Sequence, residues 1–209
     1  MNSSDLSLSE LDSTILKKAE TIFDNFKEFS TGYRCMFLIQ RHKEGGETNN
    51  SKLTKKITRN SDEWILALKE LLKIQMSSPL PLRIYSSVNE RNFNKAIRKF
   101  KYEQLDADYF DQIQKENFYL DIKNRFIGCL MQPQQKATSY FLFDCDNVEN
   151  TPEHINDIEN FYRDIGYNFI KTYPTKNGHH IITKPFNYTK ISFPKNTELK
   201  KDALLLLSY

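Results

Sequence analysis

The chain has 209 residues, 39% hydrophobic, 27% charged and 13% aromatic, which fits one folded domain with a helical preface and excludes a disordered chain or two large independent domains. Its 30 basic and 27 acidic residues leave a net charge of +3, so a histone-like grip on nucleic acid is excluded and any such contact must be local. Cys35, Cys129 and Cys145 lack Cys-x-x-Cys spacing, which argues against a disulfide framework or structural zinc and for a reducing compartment. No window approaches 18 uninterrupted apolar residues and the first residues lack signal-peptide character, so a cytoplasmic protein without a membrane partner is expected.

Residues 6 to 29 carry Leu8, Leu11, Ile15, Leu16, Ala19, Ile22, Phe23 and Phe26 at helical spacing, with Gly32 suited to the stop, and predict an amphipathic helix. Cys35 to Ile39 is a short apolar run that predicts a buried strand, and the polar stretch 43 to 60 reads as a loop open to ordering by a ligand. A second helix is expected from Ser61, its possible cap, through Trp64, Leu68 and Leu72 until Pro79 and Pro81 end it. Leu82 to Val88 alternates like a strand and leads into a helix carrying Phe93, Ala96, Ile97 and Phe100, followed by a polar helical region over 103 to 130.

Ser139 to Phe143 is a strand that runs into Asp144-Cys145-Asp146. A helix is expected over 152 to 165, opening at Pro152 and closing at Gly166. Asn168 to Tyr173 and His179 to Thr183 then form a hairpin, because Asn177-Gly178 between two β-rich runs is a strong turn signal. The organisation is an N-terminal helix (1–30) and one α/β domain (31–209), divided into halves at 31–135 and 136–209.

Acids at i and i+2 of a strand point the same way, so Asp144 and Asp146 can share a divalent cation; the bland alternative is two solvated acids opening a turn. His180, in the neighbouring hairpin, is suited to a phosphate or a metal-bound water, or else is an ordinary sheet residue with a satisfied ring. Gly178 would let a ligand approach the backbone. Arg83, Ser87, Asn89 and Arg91 accompany the 82–88 strand, near whose end they can meet phosphates, and Lys171, Lys176 and Lys184 flank the hairpin as a local basic rim suited to a polyanion.

Phe141-Leu142-Phe143-Asp144-Cys145-Asp146, followed by Thr175-Lys176-Asn177-Gly178-His179-His180-Ile181-Ile182, resembles the first two motifs of the archaeo-eukaryotic primase (primase-polymerase) superfamily. The resemblance covers residues 139 to 186 and extends more loosely over 34 to 100. It implies an α/β (α+β) fold: a primase-polymerase-like core with an RRM-like sheet, preceded by the N-terminal helix and strand-helix units, in a small stand-alone member of phage or mobile-element type. It also implies that Asp144, Asp146 and a third acid hold Mg²⁺ or Mn²⁺ while His180 contacts nucleotide phosphate.

Asp202, beside the apolar run Ala203 to Leu207, is the candidate third acid, although a surface Asp before a buried Leu strand explains the same residues. The implied activity is nucleotidyl transfer from NTP or dNTP to a nucleic-acid 3′-hydroxyl, or primer initiation, on a single-stranded DNA or RNA template, with a replication protein as a possible partner. With the sequence ending at Tyr209, no helicase or primer-handling module is expected. An inactive nucleotide- or nucleic-acid-binding relative and a metal-dependent phosphodiesterase or nuclease are the alternatives.

Overall fold

Helix α1 (Leu8–Phe26) buries Ile15, Ala19, Ile22 and Phe26, positions three or four apart on one stripe, and a short 3-10 turn (Lys27–Phe29) prolongs it to the buried Phe29. The computed structural model describes residues 8–40, 51–109, 112–146, 156, 159–161, 163, 169–189, 193 and 196–209. Gly32, at φ 66°, redirects the chain into β1 (Arg34–Gln40), since a left-handed backbone is least strained at glycine.

The polar stretch expected as a loop contains β2 (Ser51–Thr58) instead, while 41–50 lie outside the described residues. β2 pairs antiparallel with β1 from Arg34↔Thr58 to Gln40↔Ser51. Its lysines do not oppose this assignment, because β2 is an edge strand and charged side chains suit an edge. Helix α2 (Ser61–Ser77) follows, capped by Asn60 rather than Ser61: the Asn60 side chain accepts from the Glu63 backbone N–H, and the Ser61 hydroxyl bonds that of Ser30. Trp64, Leu68, Leu71 and Leu72 are fully buried on its inner face.

Strand β3 (Leu82–Ser87) pairs with the other side of β1. Asn92 then caps α3 (Phe93–Asp108), and the polar region resolves into α3, α4 (Gln112–Leu120) and α5 (Ile122–Leu130). Strand β4 (Phe141–Asp146), β5 (Phe169–Pro174) and β6 (Gly178–Thr183) follow. The helix expected over 152–165 and its stop at Gly166 fall largely outside the described residues. Strands β7 (Thr197–Lys200) and β8 (Leu204–Ser208) end the chain.

The class is α+β, and the described residues form two antiparallel four-stranded sheets in the orders β2-β1-β3-β8 and β5-β6-β4-β7. The chain crosses between sheets at 201–203, so β8 belongs with β3 although β7 beside it in sequence belongs with β4. The main core joins both sheets to the helices: Ile22 and Phe26 of α1, Leu68 and Leu72 of α2, Met36, Leu38, Ile84, Leu205 and Leu207 of the first sheet, and Leu142, Tyr173 and Ile182 of the second. Each fully buried Leu or Ile side chain contributes roughly 1.5–3 kcal/mol relative to exposure. The N-terminal helix is therefore part of the core that aligns the two sheets.

Candidate functional site

Antiparallel pairing of β4 with β6 sets the site. Asp144 lies opposite His180, Cys145 opposite His179 and Asp146 opposite Gly178. The two-residue period of a strand sends Asp144 and Asp146 to one face and Cys145 to the other, where it packs with Phe143 and Ile181. Burial pushes the Cys145 thiol up to about 11, so it is no nucleophile. The flanking strands extend the acid face: Tyr173 of β5 lies opposite His180, and Glu198 of β7 lies opposite Asp144. Four strands thus align Tyr173, His180, Asp144 and Glu198 in one row across the sheet.

Hydrogen bonds run along that row. The Tyr173 hydroxyl lies 2.7 Å from His180 Nδ1, and His180 Nε2 lies 2.9 Å from Asp144 Oδ1. Burial first, then the nearby Asp144 charge, raises Tyr173 well above its ordinary value, and because the ionised Asp144 carboxylate can only accept, it is Nδ1 of a neutral His180 that accepts from the phenol. That leaves Nε2–H to donate to Asp144, which fixes the carboxylate's orientation. On the other oxygen, Asp144 Oδ2 accepts from the Lys200 ammonium, which also lies 3.3 Å from Glu198 Oε2. The His180 hydrogen bond holds the Asp144 carboxyl well below the usual carboxylate range; burial opposes this and Lys200 reinforces it. Burial lowers Lys200, but Asp144 and Glu198 outweigh it and leave the ammonium above its ordinary value.

Opposite this row the first sheet presents Ile39, Tyr85, Leu204 and Leu206, together with the buried Arg83, and the two sheets line a cleft of about 290 Å³. Asp144, Asp146, His180, Lys176 and Lys200 line its polar side. Of the residues singled out in the sequence, the structure brings Asp144, Asp146, His180, Arg83 and Lys176 together in one cleft.

The remaining candidates stand elsewhere. Asp202 accepts a bidentate pair from Arg91, at 2.7 and 3.0 Å, with the Arg91 side chain fully buried. Asn89 is also buried, bridging Tyr140 and the Asp202 carboxylate, and the Ser87 hydroxyl accepts from the Cys35 backbone N–H. Asn89, Arg91 and Asp202 hold the crossing between the sheets, Ser87 ties β3 to β1, and none of the four lines the cleft. A Cβ on Gly178 would come within 1.9 Å of the Cys145 carbonyl oxygen, so the residue serves the approach of β6 to β4 rather than of a ligand. Lys171 pairs with Glu28 at 3.5 Å on the α1 side, and Lys184 is exposed.

Comparison with protein-family models, curated proteins and solved structures finds no match.

Three site residues escaped the sequence. Glu198 and Lys200 lie in Thr197-Glu198-Leu199-Lys200, whose alternation of polar and apolar residues is a strand signal on four positions only. Tyr173 was legible as a strand residue, but its bond to His180 follows from the hairpin register. The carboxylates of Asp144, Asp146 and Glu198 are hard oxygen donors on one face, a set whose chemistry fits Mg²⁺ or Mn²⁺. Among the described residues no three of His, Cys, Asp or Glu are gathered closely enough to hold a metal. Lys200 stands between two of the acids.

Proposed function

We propose that the cleft is a nucleotide site of primase-polymerase type and that the chain is a nucleotidyltransferase, adding nucleotides from NTP or dNTP to a 3′-hydroxyl or starting a primer. The observation that carries this is the row Tyr173, His180, Asp144 and Glu198, of which Asp144 and His180, together with Asp146, Lys176 and Arg83, line one cleft. In such a transfer the 3′-oxygen bonds to the α-phosphorus as its bond to pyrophosphate breaks, and negative charge grows on the leaving group. Arg83 and Lys176 supply donors to the phosphates, the arginine able to engage two oxygens at once. His180, oriented by Tyr173, keeps Asp144 in one rotamer. Ile39, Tyr85, Leu204 and Leu206 form an apolar wall that limits water. A divalent cation, when bound, would be held by Asp144, Asp146 and Glu198 and would neutralise charge at the reacting phosphate.

A second reading has its own support: Lys200 already neutralises Asp144, as befits a related module that binds nucleotide without turning it over. Primer extension and unprimed synthesis with Mn²⁺ separate the two. Incorporation that is lost in Asp144→Asn supports the transferase, and tight nucleotide binding without incorporation supports the binding module. Shortening of the primer with no extension would instead indicate a nuclease.

A further inference from the structure

Lys200 stands where a cation shared by Asp144 and Glu198 would stand. Its ammonium donates to Asp144 Oδ2 and lies 3.3 Å from Glu198 Oε2, bridging carboxylates from two strands. The lysine sits opposite Leu142 in the sheet, so its stem rises from the same face as the acids. Its side chain is 37% exposed and lines the cleft beside Lys176. A lysine serving only to neutralise a structural acid has no need of that opening, and a four-carbon stem with a compact charge can change partners without disturbing the backbone. The pair is partly solvated, so separating its members costs little.

We propose that Lys200 is a built-in counter-ion: it holds the acids together when the cleft is free, leaves them when a divalent cation arrives, and moves onto the phosphate of the nucleotide. This rests on the function proposed above. The displaced ammonium carries its charge into a cleft whose other cationic groups, Arg83 and Lys176, suit the same phosphate chain. Cation alone must evict Lys200 without offering it a new partner, whereas cation with nucleotide supplies one. The two ligands are thereby coupled: each favours the arrangement the other needs.

The test measures Mn²⁺ binding by calorimetry for the wild type, Lys200→Met, Lys200→Arg and Asp144→Asn, each first checked for an unchanged fold by circular dichroism and thermal melting. Removing the competing charge is expected to tighten Mn²⁺ binding about tenfold in Lys200→Met, with Lys200→Arg close to wild type. At saturating Mn²⁺, the affinity of Lys200→Met for a non-hydrolysable nucleoside triphosphate is expected to fall about tenfold. A purely structural lysine would not move the two affinities in opposite directions. Mn²⁺ binding that is lost in Asp144→Asn yet unchanged or weaker in Lys200→Met would overturn the counter-ion role and leave the cation site standing. Tighter Mn²⁺ binding with unchanged nucleotide affinity would overturn the transfer to phosphate. Absence of Mn²⁺ binding in both folded wild type and Lys200→Met would remove the cation site itself, and this proposal with it.

Discussion

Replacing Asp202 by alanine separates a structural from a metal-binding role for this residue. Arg91 is fully buried and both its terminal nitrogens donate to Asp202, whose side chain is 14% exposed. Asp202→Ala leaves the guanidinium charged and largely dry, at a cost of about 3–5 kcal/mol for a wholly buried pair. The partial exposure of Asp202 admits some water, so the lower end, about 3 kcal/mol, applies. For a chain of this size that lowers the melting temperature by about 6–12 °C. Urea denaturation measures the loss directly. Arg91→Met/Asp202→Leu removes both charges and is expected to recover most of it. Below the transition, Asp202→Ala should bind Mn²⁺ as the wild type does. A loss under about 1 kcal/mol would refute the structural tie, and abolished Mn²⁺ binding in the folded variant would restore Asp202 as a ligand.

Gly178→Ala should destabilise the hairpin by about 1–3 kcal/mol, since the new methyl group meets the Cys145 carbonyl and forces β6 from β4; wild-type stability in urea would refute the close approach. Tyr173→Phe leaves the buried Nδ1 of His180 without its donor and should cost about 1–3 kcal/mol. Nucleotide affinity should weaken with it, and calorimetry showing neither change would count against the row. The folded Asp144 carboxyl titrates below its unfolded value of about 3.9, so its stabilising contribution is present above about pH 4 and fades as pH falls through the folded value. Asp144→Asn should therefore flatten the loss of stability on acidification, measured by urea denaturation between pH 7 and 3; an unchanged slope would contradict the ion-paired carboxylate.

Much of the site was legible because strand periodicity and turn chemistry are local. Apolar residues leading into Asp144 and Asp146, and Asn177-Gly178 between two β-rich runs, suffice to place both acids on one face and His180 on an adjacent strand. What the sequence hid depends on partners far along the chain. β2 reads as a polar loop because its lysines are acceptable only once β1 supplies a backbone edge to cover. Thr197 to Lys200 is too short to announce itself, yet its register brings Glu198 opposite Asp144. Asp202 lies beside the apolar strand that suggested it, but that strand crosses into the other sheet, and the aspartate meets Arg91, more than a hundred residues earlier in the sequence. Asn89 and Arg91 share this misdirection, since polar residues after a strand suit ligand contact and a buried crossing equally well, whereas Ser87 closes β3 and ties it to β1.

The central claim is that the cleft binds nucleotide through a cation held by the acid row. Calorimetric titration of a non-hydrolysable nucleoside triphosphate into the folded protein, with and without Mn²⁺, for wild type and Asp144→Asn/Asp146→Asn, tests it most directly. The account predicts Mn²⁺-dependent binding by the wild type that is lost in the double variant. Binding that survives in the double variant, or that is indifferent to Mn²⁺, would contradict it.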